Sequence, residues 1–88
     1  MVIEHITQLG MPLERWTHKS CTAEFGVGDD WATLYFIQST EPGRGHATTL
    51  LVSARMYYKN RGKRFSGTVP LNSRMADIYK RLEIQVSL

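Results

Sequence analysis

The spacing of apolar positions changes several times along this chain, and each change marks an element. Residues 19–26 alternate, with Cys21, Ala23 and Phe25 on one side and Thr22 and Glu24 on the other, the period of a half-buried strand. Gly26 to Asp30 is turn chemistry. Residues 31–39 are aromatic and β-favouring on both faces, which predicts a central strand paired antiparallel with 19–26 as a hairpin. From His46 to Asn60 the period becomes helical, with Ala47, Leu50, Leu51, Ala54, Tyr57 and Tyr58 on one side and Thr48, Arg55 and Lys59 largely on the other. Gly62 supplies a left-handed stop. Residues 63–69 return to strand alternation, with Phe65, Gly67 and Val69 on one face, and Pro70 closes them. A strand–helix–strand unit of this length implies a right-handed crossover and locally parallel strands. Asn72 or Ser73 caps a second helix whose stripe is Met75, Ile78, Tyr79 and Leu82. Ile84, Val86 and Leu88 alternate, so the chain ends in a strand. Upstream the pattern is weaker. Residues 2–9 fit strand or helix, Gly10 and Pro12 break what precedes them, and 13–18 is too short to assign. The layout is α/β, in one domain over residues 1–88.

Charge divides the chain unevenly. Residues 1–43 carry −4 and residues 44–88 carry +7. A basic half suits a polyanion, either a nucleic acid or a polyanionic coenzyme. Its cations are spread over loop, helices and strand, and Arg61, Lys63 and Arg64 form the one cluster. The single cysteine, Cys21, forms no intrachain disulfide, which points to a reducing compartment. With no leader pattern and no apolar run of membrane-spanning length, the expectation is a soluble cytoplasmic protein. His5, His18 and His46 lack metal-ligand spacing, so no metal is expected.

The candidate chemistry lies between strand 31–39 and the first helix. Gly43, Arg44, Gly45, His46, Ala47 and Thr48 make a small-residue loop leading into a helix start. Amides there lack intrahelical partners and carry the positive end of the helix dipole, so they suit a diphosphate. The spacing is neither Gly-x-x-x-x-Gly-Lys-Ser/Thr nor Gly-x-Gly-x-x-Gly, since Thr48 stands where the third glycine would be.

On these residues the second half of the chain resembles the GNAT acyltransferases, which move an acyl group from acyl-CoA to an amine. Their coenzyme motif, Gln/Arg-x-x-Gly-x-Gly/Ala, falls on Pro42 to Ala47. Gly45 and Ala47 match, and Pro42 replaces the usual Gln or Arg. Residues 71–84 resemble the family's Asn-x-x-Ala-x-x-Leu-Tyr-x-x-x-Gly-Phe segment through Asn72 and Tyr79, with Glu83 and Ile84 in place of glycine and the aromatic. The likeness covers residues 41–84 strongly and 20–40 weakly, and leaves out 1–19. It implies a mixed, mainly antiparallel twisted sheet with two main helices and a β-α-β phosphate-loop unit. It implies acetyl-CoA as co-substrate, with the diphosphate on residues 43–48, Asn72 as a further contact and the pantetheine arm along strand 31–39. An N–H near Phe36, Ile37 or Gln38 would polarise the thioester carbonyl. Tyr79 would be the general acid for the leaving thiolate. For the amine proton the candidates are Glu24, His18 and Glu14, of which Glu24, on the hairpin, is preferred. A typical member is longer, which implies that N-terminal helices are missing and that a second copy or a partner protein supplies their cover.

Three function classes follow. The first is an acetyl-CoA-dependent N-acetyltransferase acting on a small-molecule or protein amine. The second is an inactive protein of the same fold that binds a protein partner. The third, least favoured by the spread of cations, is a small nucleic-acid-binding protein. Trp16, Trp31, Tyr35, Phe36, Tyr57 and Tyr58 are numerous for so short a chain and are expected mostly in the core; any left exposed would favour a homodimer or protein partner.

Overall fold

The computed structural model describes residues 1–87 and is a mixed α+β fold: one six-stranded sheet in the order β1-β2-β3-β4-β5-β6, with two helices. The strands are β1 (Val2–Gln8), β2 (Met11–His18), β3 (Cys21–Val27), β4 (Trp31–Ser39), β5 (Arg64–Gly67) and β6 (Gln85–Val86). The helices are α1 (His46–Asn60) and α2 (Ser73–Leu82). β1 to β4 form an antiparallel meander; β4–β5 and β5–β6 pair in parallel through α1 and α2. Leu88, the last member of the C-terminal alternation, lies outside the described residues.

The ambiguous N-terminal third is a hairpin. Leu9 and Gly10, with φ of 52° and 77°, make the two-residue turn between Gln8 and Met11. Pro12 sits inside β2 rather than breaking it. It pairs with Thr7 at the non-hydrogen-bonded position next to the turn, beyond the last β2–β3 pair of Leu13 with Gly26, so its missing N–H removes no ladder bond. The sequence hides both strands because their apolar residues are three apart. Ile3 and Trp16 pack into the core, while Ile6 and Leu13 pair with each other on the opposite face.

Both helices lie on one face of the sheet, because two right-handed crossovers advancing in the same direction put their helices on the same side. A single core results, drawn from Trp16, Ala23, Phe25 and Leu34 below and Leu50, Leu51, Tyr58, Ile78 and Tyr79 above. Buried polar atoms in it are matched: Trp16 Nε1 donates to Tyr58 Oη at 3.0 Å, and Tyr58 Oη donates to Glu14 Oε1 at 2.5 Å. The opposite face carries no helix among the described residues. The expectation of a mostly buried aromatic set therefore holds for Trp16 and Tyr58, with Tyr57 partly buried, and fails for Trp31, Tyr35 and Phe36, which are exposed. Strand 63–69 is also shorter than its alternation implied. β5 ends at Gly67, and Val69 is exposed beyond it.

Candidate functional site

β4 is paired to β5 over only half its length. Trp31, Ala32, Thr33 and Leu34 face Arg64, Phe65, Ser66 and Gly67. The Leu34 carbonyl accepts from the Thr68 N–H at 3.0 Å and from Thr68 Oγ1 at 3.2 Å. Beyond that point the strands part. A β-bulge sits there, since Phe25 faces Leu34 and Glu24 faces Phe36, leaving Tyr35 as the extra residue on β4. A bulge bends its strand and sharpens its twist, which turns the second half of β4 away from β5. Tyr35 to Ser39 keep β3 on one side and have no strand on the other.

The parting opens two connected hollows. The larger, about 600 Å³, runs from Ile37 and Gln38 past the glycine loop to Asn72 and the α2 side chains Arg74, Met75, Ile78 and Arg81. The smaller, about 160 Å³, lies in the fork itself between Leu34 to Ile37, the segment Thr68 to Leu71, and Tyr79. Ile37, Asn72 and Met75 belong to both.

The loop at the wide end is built from positive-φ backbone. Gly43 and Gly45 have φ of 88° and 78°, where a side chain would be strained, and Gly45 is the N-cap of α1. No side chain caps this helix and no acid lies in its first turn. The Gly45 carbonyl already accepts from Thr49, whereas amides of the first turn have no intrahelical acceptor. α2 begins differently: Asn72 Oδ1 accepts from the Met75 N–H at 2.9 Å, so its expected capping role is present.

The named residues fall into three groups. Ile37, Gln38, Gly43, Gly45, His46, Ala47, Thr48 and Asn72 all line the larger hollow. Phe36 and Tyr79 line the smaller one. Arg44 lines neither; its guanidinium stands 3.7 Å from Glu41 across the loop, so its charge is partly matched within the protein.

Tyr79 is nearly buried, its phenol lying over Gly67 and donating to the Thr68 carbonyl at 2.8 Å. Burial pushes its pKa up, so the phenol keeps its proton at neutral pH. Glu24 stands opposite Phe36 on the helix-free face, and one of its oxygens, Oε2, accepts from Arg15 Nε at 3.0 Å and Nη2 at 2.8 Å. Glu14 is held beneath α1 by Tyr58. His18 packs edge-to-face on His46 with centroids 6.0 Å apart. Partial desolvation first, then the charges of Lys19 and His46, hold its pKa below the usual histidine value.

Several residues of the site escaped the sequence reading. His46 Nδ1 lies 2.6 Å from Ser20 Oγ, which lies 3.0 Å from Ser39 Oγ, so the β2–β3 turn and the end of β4 anchor the first residue of α1. Arg74, Ile78 and Arg81 form the far wall of the larger hollow. Their signal was present, since positions 74, 78 and 81 share one helix face, but only the apolar stripe was read.

The basic cluster is engaged locally. Arg61 stacks 3.5 Å over the Tyr57 ring, Lys63 Nζ donates to the Gly28 carbonyl at 2.5 Å, and Arg64 lies 3.7 Å from Asp30. Among the described residues no group of three or more His, Cys, Asp or Glu is arranged to hold a metal, and no helix is long and apolar enough to cross a membrane. Comparison with protein-family models, with curated proteins and with solved structures returns no match to this chain.

Proposed function

We propose that this protein is an acetyl-CoA-dependent N-acyltransferase of GNAT type that acetylates a primary amine by direct transfer. The observation that carries the reading is the fork between β4 and β5, which opens onto an uncapped, positive-φ helix start. A thioester coenzyme needs both features: a cradle of unclaimed amides for its diphosphate and a free strand edge along which an extended amide-bearing arm can lie. The diphosphate rests on the amides of residues 45–48 and the arm runs beside Phe36 to Gln38. The acetyl group then reaches the fork near Tyr79.

In the fork the amine nitrogen attacks the thioester carbonyl and the C–S bond breaks. The leaving thiolate takes the Tyr79 phenol proton, which burial has kept in place. Before that, the Tyr79 hydroxyl must leave the Thr68 carbonyl. The amine's own proton goes to a carboxylate on the helix-free face, where Glu24 is the nearest in register to Phe36. Orientation of the two substrates supplies much of the rate, so few protein groups are needed.

Titration calorimetry with acetyl-CoA, CoA and ATP tests the binding half, and release of free thiol in the presence of a panel of amines tests the transfer half. The reading expects both CoA forms to bind with Kd on the order of 1 μM and ATP to bind far more weakly. Absence of binding at millimolar CoA removes it. A second reading, a partner-binding protein on the same fold, is favoured by Trp31, Tyr35 and Phe36 exposed together on the helix-free face. Thiol release with none of the amines, alongside intact CoA binding, would move the balance to it.

A further inference from the structure

The wall of the larger hollow opposite the glycine loop belongs to α2, and it presents two arginines, Arg74 and Arg81. They are seven residues apart, two helical turns, and so share one face. Among the described residues neither makes an ion pair. Arg15, Arg44 and Arg64, by contrast, stand at Glu24, Glu41 and Asp30. The one acid lining the hollow is Glu41, which is already matched by Arg44. Between the arginines Met75 and Ile78 give an apolar strip. The hollow thus has amides on one side, two unmatched guanidinium groups on the other and apolar surface between.

We infer that Arg74 and Arg81 hold the 3′-phosphate of the coenzyme's adenosine, with the adenine against Met75 and Ile78, and so select CoA over coenzymes that lack that group. The inference rests on the acyl-CoA reading of the site. Its logic is geometric. In CoA a single ribose separates the diphosphate from the 3′-phosphate, so a diphosphate on the amides of residues 45–48 puts the second anion across the width of the hollow. Guanidinium groups are the side chains best matched to a phosphate dianion, because their fork of N–H donors meets two oxygens at once. The site also explains how the chain dispenses with a charged side chain at Pro42, where the resemblance leads one to expect Gln or Arg. In this arrangement α2 supplies the cations.

The test is calorimetry with CoA and with 3′-dephospho-CoA on the wild-type protein and on an Arg74→Gln, Arg81→Gln double variant. Both arginines are exposed, so the variant keeps the core intact. The wild type should prefer CoA by on the order of tenfold, and raised salt should shrink the preference. The double variant should bind the two ligands alike, with its affinity for dephospho-CoA unchanged. Equal affinities in the wild type, or a preference that survives in the double variant, overturn the assignment while leaving the coenzyme site standing. Failure of the wild type to bind either ligand overturns the assignment together with the acyl-CoA reading.

Discussion

The two halves of β4 share a strand and little else. From Trp31 to Leu34 it is zipped to β5, and its inward residues Ala32 and Leu34 are sealed under the helices. From Tyr35 to Ser39 it has been turned off that partner by one inserted residue, and its free edge lines a hollow. The first half supplies stability and the second supplies an opening. A sheet cannot offer backbone groups to a ligand while spending them on a neighbour, and the bulge at Tyr35 is where this chain stops doing one and starts the other.

Substitutions should separate the halves. The largest effect belongs to the zipped half. Leu34→Ala removes a buried side chain and should cost about 2–5 kcal/mol in urea unfolding; a loss below about 1 kcal/mol would show that the core does not depend on this half. Next is the loop at the open end. Gly45→Glu should weaken CoA binding by on the order of a hundredfold, since it places a carboxylate against the amides, about 2.7 kcal/mol. Gly45→Ala is the control, because it carries the same positive-φ strain of about 1–2 kcal/mol without the charge. Equal binding by the two would leave the loop without a ligand role.

Tyr79→Phe touches both halves lightly. Loss of its hydrogen bond to Thr68 should cost about 0.5–1.5 kcal/mol in stability. Turnover should fall by on the order of tenfold or more, with CoA affinity unchanged. Unaltered turnover would return this phenol to a packing role. The smallest effect is alkaline. Burial raises the pKa of Tyr58 and of Tyr79, and for Tyr58 the hydrogen bond to Glu14 adds to the rise. Above the ordinary tyrosine value of about 10 the unfolded chain then loses protons that the native state keeps, so stability should decline as pH rises past about 10. Unfolding curves between about pH 9 and about pH 11 should show this, and the slope should lessen in Tyr58→Phe.

How much of this was legible varies with how each element is buried. α1 was readable from His46 to Asn60 because one side of it meets the core and the other meets water. β3 and the pairing of β4 were readable for the same reason. The first two strands were not, because an edge hairpin that places Ile3 and Ile6 on opposite faces has no period to read. The glycine loop announced itself by composition. The fork did not, since a bulge at Tyr35 leaves no mark in a run where apolar residues already fill both faces. The far wall was hidden differently. Arg74 and Arg81 read as solvated helix charge until the fold set them across from the loop.

The central claim is that the open half of β4 and the helix start beside it form one coenzyme site. Backbone amide NMR of the labelled protein, titrated with acetyl-CoA, asks this most directly, because every amide reports separately. The account predicts shifts concentrated at Phe36 to Gln38, Gly43 to Thr48 and the first turn of α2, with Ala32 to Leu34 and Arg64 to Ser66 left in place. Shifts confined to the helix-free face, or none at millimolar ligand, would contradict it.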